Sequence, residues 1–365
     1  MSEDPIRVAH VAAGLGHGGA ERVLVDLAVH HARQGIEVAI VAPPGALDRD
    51  WRALGIRRIE VPAAGRAPRE VARTLGAVAR AARRVAPDIL HAHNVKATGF
   101  ALGGALATGG AARVLTTLHG VAGAEMGRSA QILRCSALTV AVSEAVRREV
   151  VDHGLDERRV SVILNGVSPA EPLDEARRAA NVAELSLRGP VVAAVGRLAP
   201  EKAYDRFLAA AALVLARRPE VTFLVVGDGM LRPQLERQSR DLGIAGSVRF
   251  AGLRDDARAL IGLADLLVFS SEREGLSIAA LEALAAGTPV VAPDVPGMHE
   301  LLASGAGAVV PVAEPAALAE QITALVSDAE GRAAMGAVGR RLVEERFSAR
   351  AMHAQYLEAY RRLLR

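Results

Sequence analysis

Two glutamates bracket the run Glu274-Gly275-Leu276-Ser277-Ile278-Ala279-Ala280-Leu281-Glu282. The run follows an apolar segment ending Phe269-Ser270, so Glu274 sits just past a strand and Gly275, Leu276 and Ser277 open the next helix. Amides at a helix start have no intrahelical partner and attract anions, and a glycine there lets the backbone come close. Glu282 falls about two turns further on, roughly 10 Å at 1.5 Å per residue. That spacing is long for two acids flanking one glycosidic bond, but it matches the span from a diphosphate to a nucleoside ribose. One carboxylate then addresses a sugar ring and the other a ribose, with phosphates between.

A second group supplies positive charge. Arg197 and Lys202 lie in Val195-Gly196-Arg197-Leu198-Ala199-Pro200-Glu201-Lys202, a Gly- and Pro-containing loop after a strand. Arg binds phosphate oxygens as a fork and Lys as a point charge. Among 44 basic residues only Lys96 and Lys202 are lysines, so Lys202 stands out in an arginine-rich chain.

Three further groups are open to more than one reading. Gly14-x-Gly16-x-x-Gly19 has the spacing of a dinucleotide fingerprint. That fingerprint requires an acid at the end of the second strand, where this chain has Val41-Ala42-Pro43-Pro44-Gly45, which disfavours an NAD- or FAD-dependent oxidoreductase. What remains is a Gly-rich turn, with Gly18 and Gly19, facing a ligand. His119 ends the strand-like run Arg113–Leu118, where open α/β proteins place their chemistry. His91 and His93 share one face of a strand and could ligate a metal, but no carboxylate or cysteine nearby completes a site. Asp48-Arg49-Asp50, on a loop, reads as a solvated turn, so no metal is expected.

The elements that position these groups alternate. Strand-like runs at Arg7–Ala13, Glu37–Ala42, Asp88–Ala92, Arg113–Leu118 and Leu138–Val142 are interspersed with helical patterns such as Ala20–Arg33 and Arg69–Val85. A second series has strands at Val191–Val195, Thr222–Val226, Val248–Ala251, Leu266–Ser270, Pro289–Ala292 and Ala308–Val310. Each series predicts an α/β unit with a parallel sheet covered on both faces. The boundaries expected are 1–168 for the first Rossmann-like unit, 169–188 for a linker, 189–345 for the second unit and 346–365 for a final helix.

Composition narrows the function. A chain of 365 residues with 51% hydrophobic residues can bury two cores. Net charge of +3 and only 6 Phe, 3 Tyr and 1 Trp argue against a nucleic-acid partner. The single Cys135 permits no intramolecular disulfide and suits a reducing compartment. No signal peptide or membrane span is evident, so a cytoplasmic location is expected. The stretch Arg69–Pro87 carries Arg69, Arg73, Arg80 and Arg84 largely on one face, a feature suited to peripheral contact with anionic lipid on the inner face of a membrane or with a phosphorylated acceptor.

Taken together, the motifs resemble those of family 4 glycosyltransferases, retaining enzymes of the GT-B class. The pattern runs through Gly18-Gly19-Ala20-Glu21, Thr117-Leu118-His119, Val142-Ser143-Glu144, Asn165-Gly166-Val167, Gly196-Arg197-Leu198, Glu201-Lys202, Gly227-Asp228-Gly229, Phe250-Ala251-Gly252, Glu274–Glu282 and Gly287-Thr288-Pro289-Val290. Order and spacing carry the resemblance more than any one motif.

The resemblance implies two Rossmann-like domains facing across a cleft, with a C-terminal helix crossing back to the first. It implies metal-independent, retaining transfer from a nucleoside-diphosphate sugar, bound mainly by the second domain, to a hydroxyl acceptor bound by the first. The acceptor class stays open between small natural products or aminocyclitols and lipid-linked glycans. By the same resemblance, Arg197 and Lys202 hold the diphosphate, Glu274 contacts the donor sugar, and the amides of Gly275, Leu276 and Ser277 face sugar and phosphate. Glu282 binds the ribose, His119 lies beside the transferred sugar, and Gly18 and Gly19 lie near donor phosphate and acceptor. Ala203 departs from the pattern, which has Gly there; this matters only if φ is positive. The competing reading is a catalytically silent sugar-nucleotide-binding regulator or scaffold, against which the intact Glu274, Glu282, Arg197 and Lys202 set argues.

Overall fold

A computed structural model describes residues 5–47, 50–65, 67–119, 126–170 and 174–365. The chain forms two compact units, one of Met1–Asn165 with Arg350–Arg365 and one of Gly166–Ala349.

The first unit contains β1 (Arg7–Val11), α1 (Gly19–Arg33), β2 (Glu37–Ala42), β3 (Arg57–Glu60), α2 (Pro68–Val85), β4 (Ile89–Ala92), α3 (Val95–Ala107), β5 (Arg113–Leu118), α4 (Met126–Leu133), β6 (Leu138–Ala141), α5 (Glu144–Asp152) and β7 (Val160–Val162). Its seven strands follow the order β3-β2-β1-β4-β5-β6-β7, and every pair is parallel. The central strands are buried on both faces, which is why they read as continuous apolar runs. Val11, Val41 and Leu90 pack with Val78 of α2 and Phe100 of α3 in one core cluster. β3 and β7 are the edge strands; Arg57-Arg58-Ile59-Glu60 is charged and Val160-Ser161-Val162 is short, so neither has an apolar run to announce it.

The second unit contains α6 (Glu175–Glu184), β8 (Val191–Val195), α7 (Tyr204–Leu215), β9 (Thr222–Val226), α8 (Arg232–Asp241), β10 (Val248–Gly252), α9 (Ala257–Leu263), β11 (Leu266–Val268), α10 (Ile278–Ala286), β12 (Val290–Pro293), α11 (Pro296–Leu302), β13 (Gly307–Val310), α12 (Pro315–Ser327) and α13 (Ala329–Arg346). The six strands run β10-β9-β8-β11-β12-β13, again all parallel. Phe207, Phe223, Leu266, Val291 and Ile322 belong to its core.

The segment expected as a linker clusters with the second unit. There Arg254 pairs with Glu184 of α6, and Asn181 donates to Asp256. The final helix, α14 (Ala349–Leu364), lies almost wholly in the first unit. Its entry is fixed by backbone pairing: Val167 N–H donates to Phe347 O at 2.9 Å and Ala349 N–H to Val167 O at 3.0 Å. A Cβ on Gly166 would collide with the Ser348 carbonyl, which gives Asn165-Gly166-Val167 a structural reason. No helix of the described residues is long and apolar enough to cross a membrane.

Candidate active site

In an open parallel sheet, the crevice for a ligand opens where neighbouring strands send their connections to opposite sides. In the second unit that point lies between β8 and β11, which pair through Leu266↔Val192 and Leu267↔Ala193. The loop after β8 carries Arg197 and Lys202; the loop after β11 carries Glu274.

The two loops are tied together. Lys202 Nζ lies 2.5 Å from Glu274 Oε1, and Ser271 Oγ donates to the same oxygen at 2.6 Å. Ser270 Oγ donates to Lys202 O at 2.9 Å, and Glu272 N–H to Glu201 O at 3.3 Å. The Glu274 side chain is only 7% exposed. Beneath the pair, burial pushes the Tyr204 phenol pKa up, and the Glu274 carboxylate adds to the shift, so Tyr204 stays neutral. Arg197 is mostly exposed and rests against Glu201 at 2.7 Å; Arg206 pairs with Glu272 at 2.5 Å.

Backbone packing explains three motifs at once. Leu198 N–H donates to Asp228 O at 3.0 Å and Gly227 N–H to Gly252 O at 2.8 Å. A Cβ at Gly227 would strike Gly196 O, and one at Gly229 would strike Leu198 O. The loops after β8, β9 and β10 therefore run side by side, and Arg197 projects from their joint surface. Ala203, which ends the 3-10 turn Pro200–Lys202, has φ 47° and ψ 45°, so the condition under which this departure matters is met.

Helix α10 starts at Ile278, later than the sequence reading placed it. Ser277 is its N-cap, with extended φ −70° and ψ 125°, and its hydroxyl accepts from Ala280 N–H at 3.5 Å. Gly275 and Leu276 form the approach to the helix rather than its first turn. Glu282 is buried in α10 at 8% exposure. The approach is braced by α11, where a Cβ on Gly297 would strike the carbonyl oxygens of Gly275 and Glu274. A lysine and the N-terminal end of a helix thus border one buried carboxylate, with an exposed arginine on the lysine's own loop, a setting that can receive an anionic group.

The other predicted residues belong to the first unit. Gly18 is the N-cap of α1, and Gly19 is its first residue. Both are exposed, and added Cβ atoms at Gly14 and Gly16 would meet open space. His119 follows β5, and both of its ring nitrogens are sealed from solvent without a partner among the described residues. Burial pushes its pKa down to about 4. Asp48 lies outside the described residues.

His91 and His93 have a neighbour that spacing could not reveal. His10 of β1 stands in register with His91 of β4, so three buried imidazoles meet at this unit's own β1/β4 switch point. Their ring nitrogens fall within 4.8 Å of one another. The hydrogen bonds account for most of those atoms without an ion: His10 Nδ1 faces His93 Nε2 at 2.9 Å, while His91 contacts Tyr360 OH through Nδ1 at 2.7 Å and Thr117 Oγ1 through Nε2 at 2.8 Å. Desolvation lowers the pKa of all three, that of His10 to about 3. Ser271, Tyr204, His10, Tyr356 and Tyr360 were not singled out from the sequence; only strand order and helix docking bring them to these positions.

Known proteins share the sequence pattern and the fold of this chain. The family model described as "Glycosyl transferases group 1" matches residues 177–342, and that of "Glycosyltransferase Family 4" matches residues 17–171. The chain is 28% identical over 366 residues to the lipopolysaccharide core biosynthesis glycosyltransferase LpsE of Rhizobium meliloti, covering 97% of this chain and 98% of LpsE. It is 33% identical over 177 residues to the alpha-D-kanosaminyltransferase of Streptomyces kanamyceticus, covering 48% of this chain and 46% of that protein. The crystal structure of Anabaena HepE in complex with UDP and glucose superposes with a TM-score of 0.83 at 21% identity, covering 97% of this chain and 99% of HepE. The two α/β units are those of the GT-B fold, and the chain belongs to the family 4 glycosyltransferases.

Proposed function

We propose that this protein transfers a sugar, with retention of anomeric configuration and without a metal, from a nucleoside-diphosphate sugar to a hydroxyl acceptor. The observation that carries the reading is the Lys202–Glu274–Ser271 cluster at the β8/β11 switch point, with Arg197 on the same loop as Lys202. In this reading Arg197, Lys202 and the amides of Gly275, Leu276 and Ser277 hold the diphosphate. Glu274 orients the donor sugar and Glu282 the ribose. Gly18, Gly19 and His119 serve the acceptor side and the transferred sugar. Leaving-group stabilisation and orientation supply the rate enhancement, rather than a strong base.

The complex of HepE with UDP-glucose supports a nucleotide-sugar donor. Similarity to a lipopolysaccharide core transferase over nearly the whole chain favours a lipid-linked glycan as acceptor over a small natural product. Helix α2 fits that choice: Arg69, Arg73, Arg80 and Arg84 are exposed, and so are Val71 and Leu75, each at 38%. Only Thr74, Val78, Ala81 and Ala82 of that helix are buried, so Val71 and Leu75, on the side opposite the arginines, are partly uncovered where core was expected.

Incubation with UDP-, GDP- and ADP-sugars, read by release of nucleoside diphosphate, tests the proposal. Turnover with one donor class is expected. Donor binding without transfer or hydrolysis would instead indicate a silent sugar-nucleotide binder.

A further inference from the structure

Helix α14 is the last element of the chain, yet it docks in the first unit. Its residues Tyr356 and Tyr360, one turn apart, are both 0% exposed. Their hydroxyls enter the polar layer under the ends of β4 and β5. Tyr360 OH meets His91 Nδ1 at 2.7 Å, His91 Nε2 meets Thr117 Oγ1 at 2.8 Å, and Thr117 Oγ1 meets Tyr356 OH at 2.9 Å. The chain of contacts begins and ends on α14.

A neutral imidazole carries one N–H and one lone pair. With a hydroxyl on each nitrogen, able to donate or to accept, both ring nitrogens of His91 are satisfied and its ring is held in one orientation whichever tautomer it carries. His93 stacks on His91, with centroids 4.1 Å apart and planes at 24°. His119 lies nearly parallel to His93, at 6.1 Å and 15°. His10 secures His93 from the side through the 2.9 Å contact. His119 has no hydrogen-bond partner of its own among the described residues; among them, the parallel His93 ring stands beside it and Thr117 lies two residues earlier.

We infer that Tyr360, with Tyr356, is a positioning residue for His119, acting through His91, Thr117 and the imidazole stack. Docking of the C-terminal helix thereby becomes a condition for sugar transfer. The inference rests on the function proposed above. It assigns α14 a role in the site without contact to any substrate.

Tyr360→Phe removes one oxygen and keeps the ring packing. Losing one net hydrogen bond is expected to lower turnover about fivefold, with the donor KM little changed and the fold itself modestly destabilised. In a His119→Ala background the same substitution is expected to cost less than about twofold, because the effect passes through His119. An equal loss in both backgrounds, or none in the parent, overturns the inference. Ring-nitrogen NMR supplies a readout independent of activity. The His91 and His119 ring-nitrogen resonances are both expected to shift in Tyr360→Phe. A His119 signal unmoved by the substitution ends the proposal, even if no donor is ever turned over. A shifted His119 in a protein without transferase activity refutes the proposed function alone.

Discussion

Lys202 Nζ and Glu274 Oε1 stand 2.5 Å apart and join the loop after β8 to the loop after β11. Both are residues expected to meet the donor, and each is the other's partner in the protein by itself. In the proposed function a diphosphate arriving at Lys202 competes with Glu274 for the ammonium, which would leave the carboxylate available to a sugar hydroxyl.

Lys202→Ala is expected to fold and to lose transfer by about 10²–10³-fold, the typical cost of one preorganised contact to developing charge. Donor affinity should fall much less, because the contact strengthens as the glycosidic bond breaks. Lys202→Arg should also be impaired, since a planar fork does not reproduce a compact ammonium. Glu274→Gln should lower turnover more than affinity, and Glu282→Gln the reverse. Steady-state kinetics with donor binding by calorimetry separates these effects. Near-normal turnover in Lys202→Ala removes that residue from the site.

Activity is expected to survive EDTA, because in the proposed function Arg197, Lys202 and the start of α10 neutralise the diphosphate in place of a divalent ion. Complete loss in chelator, restored by Mn²⁺ or Mg²⁺, contradicts this. An α-linked donor should give an α-linked product, and an inverted anomeric proton in the NMR spectrum of the product excludes retention.

Two alanines in the left-handed region should answer differently to glycine. Ala86, the exposed C-cap of α2, has φ 48°. Relief of about 1–2 kcal/mol of steric cost outweighs the roughly 0.4–1 kcal/mol that glycine adds to unfolded-chain entropy. Ala86→Gly should therefore stabilise the protein by about 1 kcal/mol. Ala203 has φ 47° but is only 4% exposed, so its glycine variant also loses a buried methyl worth about 0.8 kcal/mol. Ala203→Gly should come out near zero. Urea unfolding measures both, and a clear gain only at Ala203 would reverse the argument.

Acid should unfold the first unit through its histidines. Burial lowers the pKa of His31 to about 4 and that of His353 to about 3. Neighbouring His30, stacked on His353 at 4.0 Å, lowers both further. His10 and His119 are depressed as well, to about 3 and about 4. Below the unfolded value of about 6.5 the unfolded chain takes up protons that the folded chain refuses. Stability is therefore full above that pH and falls with acidification until the folded values are reached, by about 1.4 kcal/mol per pH unit per group. Denaturant titrations from pH 7 to pH 4 should show a slope of more than one proton, reduced in His353→Gln. A flat profile between pH 7 and pH 5 would show that these imidazoles are not buried neutral.

The exposed arginine face of α2 should bind anionic phospholipid vesicles at low salt and release them at high salt. Arg73→Glu combined with Arg80→Glu should abolish sedimentation with vesicles while leaving the fold intact. Absence of binding by the parent protein at low salt leaves α2 an ordinary solvated helix.

Local patterns determined much of this protein. Buried parallel strands are mostly apolar, so Glu37–Ala42, Arg113–Leu118, Val191–Val195 and Thr222–Val226 were legible with their ends. The edge strands β3 and β7 were not, because an edge tolerates charge and brevity. Arg197, Lys202 and Glu274 stand out locally as charged residues on loops after strands, where an open α/β sheet places its ligands, and Glu282 by its spacing along the helix that follows. Tertiary structure alone decided that Ser271 shares an oxygen of Glu274 with Lys202, that Ala203 is left-handed and that His10 stands beside His91. It also decided that a helix ending the chain closes a hydrogen-bonded circuit with residues some 240–270 positions earlier. The reason is physical: a side chain's type and spacing are local, but strand order and helix docking follow from the burial of whole faces, which no short window of sequence contains.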